Sequence, residues 1–263
     1  MILKSAVLLS LFAVAIAFPA LNETLKDEPS GRVIGGNNAF NGQFPFVASI
    51  RDTNNNHFCS GVLISNEWVV TLRTCMQGRT TLNTRVAFGS VNRSGGWTYT
   101  IWNIFIRPNV DPRVTSNDIA LIQTWNFVTL DNLVWPANSP SFRLSGGQTA
   151  TAMGWGNTAP NGSPANTLQW TTLTVTDTNT CGNFFWNIMN FDWGNSFCTV
   201  TSPGASVGRM CTGDDGAPLV IGNTVHGILR FSSCGIGGGF PDLFLSLFDF
   251  RDWIRSTTGM CCF

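Results

Sequence analysis

The sequence has little charge of either sign. Only 11% of its 263 residues are charged, and its 15 basic side chains are balanced by 15 acidic ones. A chain with a formal net charge of zero has no excess of cations to neutralise phosphate groups. We therefore exclude nucleic acid as a partner.

Lysine is almost missing. Lys4 and Lys26 are the only two, and after Arg32 the chain has 12 arginines and no lysine. Arginine keeps its charge at a pH where lysine begins to lose its own. This bias fits a protein that works in an alkaline fluid such as a gut lumen, although compositional drift explains it equally well.

Histidine is scarce too, and the motifs of cofactor-binding proteins are missing. His57 and His226 are the only histidines, and neither lies in a cluster with the spacing of metal ligands. The chain has no Gly-x-Gly-x-x-Gly or Gly-Lys-Ser/Thr phosphate loop and no repeat of fixed period. We expect no metal and no cofactor, and we interpret both histidines as ordinary polar or core residues.

A long apolar run occurs once, at the N-terminus. It extends from Ala6 to Ile16, follows Lys4, and ends in the small residues Ala15 and Ala17. This pattern predicts a secretory signal at residues 1–17. The alternative, a short anchor helix, falls below the roughly 20 residues that spanning needs. Secretion places the eight cysteines in an oxidising compartment, where disulfides are expected.

The rest of the chain has the pattern of a β protein. After a leader at residues 18–32 without apolar periodicity, short runs of Val, Ile, Phe, Trp and Thr alternate with Gly, Asn and Pro clusters, which predicts an all-β sandwich or barrel. A helix is predicted near 247–256, where Leu247, Phe250, Trp253 and Ile254 follow helical spacing. Strands are predicted at, among others, 46–50, 61–64, 68–71, 98–106, 119–123, 169–175 and 219–221, and a linker at 132–147.

Four segments together resemble the trypsin/chymotrypsin family of serine proteases, in the order and spacing of that family. They are Arg32-Val33-Ile34-Gly35-Gly36, Trp68-Val69-Val70-Thr71-Leu72-Arg73-Thr74-Cys75, Asn117-Asp118-Ile119-Ala120-Leu121 and Cys211-Thr212-Gly213-Asp214-Asp215-Gly216. The resemblance runs from residue 33 to about 256. It implies two antiparallel six-stranded β-barrels, at about 33–135 and 136–246, followed by the C-terminal helix, within a domain at 33–263.

The resemblance also implies that the proteolytic chemistry is missing. In the family a serine attacks the scissile carbonyl, a histidine takes its proton and a buried aspartate orients the histidine. Here Thr74 stands at the histidine position and Asp215 at the serine position, so only Asp118 remains. Asp118 and Asp215 could in principle act as an acid/base pair, as in glycosidases. We disfavour this interpretation, because the family buries the aspartate at the Asp118 position behind its histidine.

The activation residues of the family are better kept. The resemblance implies a zymogen cleaved after Arg32, whose new amine on Val33 pairs with Asp214. It also implies that the backbone N–H groups of Gly213 and Asp215 still form the relic of an oxyanion hole, although the Asp215 carboxylate would repel a developing negative charge.

The substrate pocket that the family carries is altered here. By resemblance Arg209 stands at its floor, Asp242 at its wall, and Arg230 and Phe231 on the strand that pairs with substrate. We predict two ion pairs, Arg209 with Asp242 and Arg230 with Asp118, because a buried charge needs a partner. Arg73 is the second candidate partner for Asp118, and surface exposure of each arginine is the alternative to both pairs.

The family-like disulfide pairings are Cys59–Cys75, Cys181–Cys198 and Cys211–Cys234. Cys261 and Cys262 are left adjacent at the tail, either as a vicinal disulfide or as a covalent link to a partner. Asn22, Asn92 and Asn161 begin possible glycosylation sequons.

The sequence as a whole therefore predicts a secreted, non-catalytic serine protease homologue with no membrane association once the signal is removed. Its expected partner is a protein: a protease, a protease inhibitor or a peptide. The alternatives are an endopeptidase with residual or unusual activity, a hydrolase that uses the carboxylates, and a packing role in a secretion.

Overall fold

The structure is a computed structural model and describes residues 36–108, 117–185, 194–202, 208–236, 239–261 and 263. The predicted signal and leader lie outside the described residues, as do Arg32 and Val33. The strands are β1 (Asn37–Asn38), β2 (Val47–Asp52), β3 (His57–Leu63), β4 (Trp68–Thr71), β5 (Thr84–Phe88), β6 (Trp97–Ile106), β7 (Ala120–Thr124), β8 (Thr149–Gly154), β9 (Gln169–Val175), β10 (Ser196–Thr201), β11 (Pro218–Ile221), β12 (Thr224–Phe231) and β13 (Asp242–Ser246). The helices are α1 (Arg73–Met76), α2 (Thr178–Phe185) and α3 (Arg251–Thr258).

Six strands close the first barrel in the order β2-β3-β4-β7-β6-β5, and every pairing is antiparallel. The four residues of β4, Trp68–Thr71, are all buried. Two of them are β-branched valines, which pack well on a pleated surface. Closure pairs both edges of every strand in the ring, which removes the exposed edges that an open sheet would leave.

The second barrel contains β8 to β13. Its sheet runs β9-β10-β13-β12-β11-β8, and the pairing of β8 with β9 closes it, while β1 pairs with Gln169 and Trp170 at the start of β9. Buried and partly exposed residues alternate strictly along β9, as expected when one face of a strand lines the barrel interior. Two closed six-stranded barrels followed by a helix confirm the predicted fold class.

The C-terminal helix differs from its prediction at both ends. It begins at Arg251 rather than at 247 and ends at Thr258. Leu247 and Phe250 are buried as predicted, but they belong to a turn in which the Phe250 N–H donates to the Leu247 carbonyl at 3.2 Å. The apolar spacing was a correct guide to burial and a wrong guide to the helix start, because a tight turn can present residues three apart to the same core.

The three predicted disulfides are present. Cys59–Cys75, Cys181–Cys198 and Cys211–Cys234 have Cα–Cα separations between 4.7 and 6.1 Å, within the range that a disulfide requires. Cys261 is exposed. Cys262 lies outside the described residues, so the chemistry of the tail stays a prediction. No helix in the described part of the chain is long and apolar enough to cross a membrane.

Candidate functional site

Strand pairing brings Thr74 and Asp118 together. Thr74 lies in α1, directly after β4, and Asp118 lies directly before β7. β4 and β7 are antiparallel, and Thr71 at the end of β4 is opposite Ala120 at the start of β7. The segment that follows β4 therefore lies beside the segment that precedes β7. The Cys59–Cys75 disulfide ties α1 to β3. Strand register and the disulfide together position the Thr74 side chain beside Asp118.

Asp118 is almost fully buried and is satisfied by three donors. The Thr74 backbone N–H donates to Oδ1 at 2.7 Å, and the Thr74 hydroxyl donates to Oδ2 at 3.0 Å. The Arg230 guanidinium forms an ion pair with Oδ2 through Nε. The predicted Arg230–Asp118 pair is therefore present, whereas no contact joins Arg73 to Asp118 among the ion pairs of the described residues.

A β-bulge directs Arg230 toward this aspartate. The register of β12 against β13 shifts between Leu229 and Phe231, so Arg230 is the extra residue of the bulge. A bulge changes the direction in which a side chain points. Arg230 keeps 21% of its side chain exposed while Asp118 keeps 2%, so the guanidinium covers the carboxylate from the solvent side.

Asp215 is an exposed residue in the otherwise largely buried loop before β11, near the same charges. Its backbone carbonyl accepts a hydrogen bond from Ser60 N–H at 2.8 Å. Gly216 follows with a φ of 80°, and a side chain there would collide with the Ser60 carbonyl. Desolvation by the surrounding protein is the main reason why the pKa of Asp215 is raised; Asp118 adds to this effect and Arg230 opposes it.

The same loop leaves two backbone donors open. Gly213 has a φ of 94°, a conformation that favours glycine. Among the described residues, no acceptor is found for the N–H groups of Gly213 and Asp215. Their predicted role as the relic of an oxyanion hole stays a prediction.

Asp214 is a fully buried carboxylate with no cation among its described contacts. It accepts hydrogen bonds from Gly156 N–H at 2.7 Å and Cys211 N–H at 2.9 Å. Desolvation raises its pKa to about 7, against the lowering effect of these two donors. A Cβ on Gly156 would lie 2.5 Å from the carboxylate carbon, so glycine is needed there. Val33, the predicted partner of Asp214, is outside the described residues.

The predicted ion pair between Arg209 and Asp242 is wrong. The ion pairs of the described residues do not include it; instead, a serine hydroxyl stands between the two charges. Arg209 Nη1 donates to Ser233 Oγ at 3.4 Å, and Ser233 donates to Asp242 Oδ1 from Oγ at 2.9 Å and from its backbone N–H at 2.7 Å. Met210 N–H donates to Oδ2 at 3.3 Å. Burial raises the pKa of Asp242, and these donors oppose the rise.

Sequence reasoning missed Ser233 because no spacing rule marks a hydroxyl that joins two charges through the fold. It also missed the aromatic surroundings of Phe231, which lies edge to face against Phe185 and Phe240 with ring centroids 5.7 and 6.5 Å apart. The abundance of phenylalanine, 20 in the chain, was the available signal. Phe231 is therefore part of a packed aromatic cluster.

Both histidines have polar and aromatic neighbours, and His57 also interacts with the backbone of Gly213 in the candidate site. His57 Nδ1 lies 2.9 Å from Ser49 Oγ, its ring contacts Trp155, and desolvation lowers its pKa to about 4. His226 is buried against Phe142, and burial lowers its pKa. Among the described residues, no group of three or more His, Cys, Asp or Glu is placed to hold a metal ion.

Two closed barrels, a buried aspartate before β7 and a glycine-framed loop before β11 define the two-barrel class of serine protease folds. A family model described as Trypsin matches residues 33–254. Curated relatives include a chymotrypsin-2 of Vespa crabro, 30% identical over 85% of this chain and 98% of its own, and a trypsin of Phaedon cochleariae, 30% identical over 95% and 97%. A neutrophil elastase of Mus musculus is 31% identical over 96% of this chain and 88% of its own. The chain belongs to the trypsin family of serine proteases.

Proposed function

We propose that this chain is a secreted serine protease homologue that has lost proteolytic activity and acts by binding a protein. The observation that carries the proposal is the Arg230–Asp118 ion pair, together with the Thr74 hydroxyl on the same carboxylate. In the family this aspartate orients an imidazole that takes a proton from the nucleophile. A guanidinium and a hydroxyl cannot perform that transfer near neutral pH.

The chemistry around Asp215 supports the same conclusion. A carboxylate at the nucleophile position is a poor acyl acceptor, and among the described residues no general base lies beside it to activate a nucleophile. Thr74 and Arg230 are the partners of Asp118. His57 lies against Ser49 and the Gly213 backbone, and desolvation lowers its pKa to about 4, while His226 packs on Phe142. An oxyanion that approached the Gly213 and Asp215 N–H groups would meet the negative charge of Asp215 itself.

Secretion and activation are part of the proposal. The predicted signal at residues 1–17 and the three disulfides support an extracellular location. The lysine-poor composition fits an alkaline fluid such as a gut lumen and fits compositional drift equally well. Cleavage after Arg32 would free the Val33 amine. Asp214 supports this step, because a buried carboxylate held only by neutral donors is a suitable partner for an incoming ammonium group.

The proposed partner is a protease, a protease inhibitor or a peptide that occupies the relic cleft. Arg209 and Asp242 are joined through Ser233 and Phe231 is packed against other aromatic rings, so the pocket does not match the side-chain preference of a trypsin. The tail cysteines Cys261 and Cys262 stay predicted either as a vicinal disulfide or as a covalent link to such a partner.

The activity test is labelling of the chain cleaved after Arg32 with a fluorophosphonate, alongside hydrolysis of ester and amide substrates. We expect no label and no turnover. Restoration requires three changes, Thr74→His, Asp215→Ser and Arg230→Ser, because the guanidinium occupies the carboxylate that the new histidine needs and triad members act as a unit. The Thr74→His chain is the matched control and should stay inactive. Stoichiometric labelling of the unchanged chain would overturn the proposal.

The binding test uses the cleaved chain and a protein inhibitor of trypsin-like proteases as the probe. We expect a complex whose affinity falls when Phe231→Ala or Asp215→Arg alters the cleft. An exposed arginine far from the loop, Arg255→Ala, serves as the control. Equal affinity in all three variants would show that the inhibitor does not use the cleft.

An endopeptidase with residual activity is the second candidate, and it is favoured by relatives that are a chymotrypsin, a trypsin and an elastase. In this type of enzyme, loss of triad members leaves about 10³–10⁴-fold acceleration over water. The test is whether turnover at that level is measured and whether it disappears when the oxyanion hole is blocked. Both results together would favour this alternative over a pure binding function.

A further inference from the structure

A groove lined by aromatic rings opens on the first barrel, away from Asp118. It has a volume of about 390 Å³ and is lined by Glu67, Gln123 and the rings of Trp102, Trp125 and Phe127, among others. Glu67 precedes β4 and Trp125 follows β7, whereas Thr74 and Asp118 lie at the opposite ends of these two strands. The groove is therefore separate from the candidate site and independent of the proposed function.

The exposure of its rings is unusual. The exposed fractions of Trp102, Trp125 and Phe127 are 54%, 60% and 68%, although tryptophan is on average highly buried in folded proteins. The two indoles meet at an interplanar angle of 66° with centroids 4.4 Å apart. They form a corner in which both residues remain more than half exposed, and a corner suits recognition of a compact ligand better than a flat surface does.

Regular backbone contacts hold this corner in place. The register of β6 against β7 shifts between Ile101 and Asn103, so Trp102 is the extra residue of a β-bulge, which turns its side chain. Trp125 N–H donates to the Thr100 carbonyl at 2.9 Å. Thr124 N–H donates to the Glu67 carbonyl at 3.0 Å. The groove is therefore formed by ordered strands before any ligand arrives, which reduces the entropic cost of binding.

The charge of the groove points to the kind of ligand. Glu67 is the one charged residue among its described lining, and Gln123 Nε2 donates to Glu67 Oε2 at 3.1 Å, which holds the carboxylate near the rings. Arginines of this chain stack on phenylalanine rings at Phe58, Phe248 and Phe250. Among the described residues, none stacks on Trp102 or Trp125, although tryptophan is the best acceptor of a cation–π contact.

We propose that the groove is a binding site for a small organic cation, an alkylated ammonium group held between the Trp102–Trp125 corner and the Glu67 carboxylate. The aromatic faces would attract the cation through their quadrupoles, and the carboxylate would supply the opposite charge. A quaternary ammonium has no N–H group and therefore needs no hydrogen-bond acceptor. This suits Glu67, whose carboxylate already accepts a hydrogen bond from Gln123.

The test is calorimetric titration of the intact protein with choline and with 3,3-dimethylbutan-1-ol, the neutral isostere in which carbon replaces the charged nitrogen. We expect choline to bind and the isostere to bind at least about fivefold more weakly, since only the cation gains from the ring quadrupoles and from Glu67. Trp125→Leu should abolish the choline heat. Glu67→Gln, which keeps a side chain able to pair with Gln123, should weaken binding about threefold or more.

The matched control is Trp135→Leu, which changes an equally exposed tryptophan outside the groove, 55% exposed. It should leave choline binding unchanged, and equal midpoints of urea unfolding among the variants would exclude misfolding. Three outcomes overturn the proposal. They are equal affinity for choline and its isostere, binding of a neutral oligosaccharide without binding of choline, and no choline heat up to about 10 mM, beyond which specific recognition is not meaningful.

Discussion

Asp118 and Asp214 are both buried carboxylates of the candidate site, yet the protein satisfies them in different ways. Each accepts two hydrogen bonds, but within the described part of the chain only Asp118 also has a cation, Arg230. Asp214 has two backbone donors, and its pKa rises to about 7 because burial outweighs them. Asp242 is intermediate, since an arginine reaches it only through the Ser233 hydroxyl.

The difference shows that neutral donors orient a buried carboxylate but do not replace a charge. Backbone N–H groups lower the pKa of Asp214, yet desolvation remains the larger effect. In the Asp118 environment the chain itself supplies the opposite charge. For Asp214 the charge must come from elsewhere, and the proposed source is the Val33 amine. Four predictions test this comparison.

The largest effect is expected from Arg230→Ser. The change leaves Asp118 buried without its cation, and the free energy of unfolding should fall by about 3 kcal/mol, as is typical when one partner of a buried ion pair is removed. Urea unfolding measures it. Asp118→Asn in the same chain should recover most of the loss. Arg255→Ser, which removes a pair between exposed side chains 4.0 Å apart, should cost less than about 0.5 kcal/mol; equal losses in the two variants would contradict the comparison.

Asp214 should make the uncleaved chain less stable as the pH rises. Its folded pKa of about 7 lies above the ordinary value, so its protonated form favours the folded state, and this contribution is present at low pH and lost as the pH rises through about 7. Between about pH 4 and 7 the free energy of unfolding should fall by about 1 kcal/mol per pH unit relative to Asp214→Asn.

Cleavage after Arg32 sharpens the same test. If the Val33 amine pairs with Asp214, the pKa of the carboxyl falls and the decline between pH 4 and 7 should disappear. An identical pH dependence before and after cleavage would contradict the proposed activation, and the Asp214→Asn chain should show the same profile in both forms.

Ser233→Ala should have a smaller effect. Asp242 keeps its two backbone donors, but the Ser233 hydroxyl no longer joins it to Arg209. The loss of a buried hydrogen bond of this kind costs about 1–2 kcal/mol. Thermal unfolding measures it, with the exposed Ser256→Ala as the control. No destabilisation would mean that the hydroxyl bridge contributes nothing to the stability of this pocket.

Thr74→Ala should have the smallest effect. The Thr74 backbone N–H and Arg230 remain on Asp118, and Thr74 is exposed, so the lost hydroxyl should cost about 0.5–1 kcal/mol. Thr74→Ser retains the hydroxyl and should be close to neutral. If Thr74→Ala destabilised the protein as much as Arg230→Ser, the hydroxyl rather than the charge would be the main partner of Asp118.

The features that sequence reasoning predicted correctly depend on local pattern or on family order. The bounds of β4 and β9 match their predictions, because alternation and β-branched residues are properties of the strand itself. The three disulfides and the Arg230–Asp118 pair followed from aligned positions. In each of these cases the partner was already marked by its place in a motif.

The features that sequence reasoning missed depend on which strands pair and in which register. The Thr74 hydroxyl reaches Asp118 only because β4 pairs with β7 in one register. Ser233 separates Arg209 from Asp242, so the predicted ion pair failed. The Trp102–Trp125 corner arises where a bulge in β6 meets the end of β7, and no spacing along the chain marks it.

The sequence by itself determined the family, the two-barrel fold, the disulfides and the identity of the residues at the candidate site. Strand patterning is local and predicted a β protein, and the resemblance of the ordered motifs to the family implied the two barrels, the disulfides and the site residues. Only the tertiary structure decided which charges are joined directly, which are joined through a hydroxyl and which have no cation among the residues that the structure describes. The physical reason is that hydrogen bonds and ion pairs depend on distances of a few tenths of an ångström, and these distances are set by strand register and bulges rather than by separation along the chain.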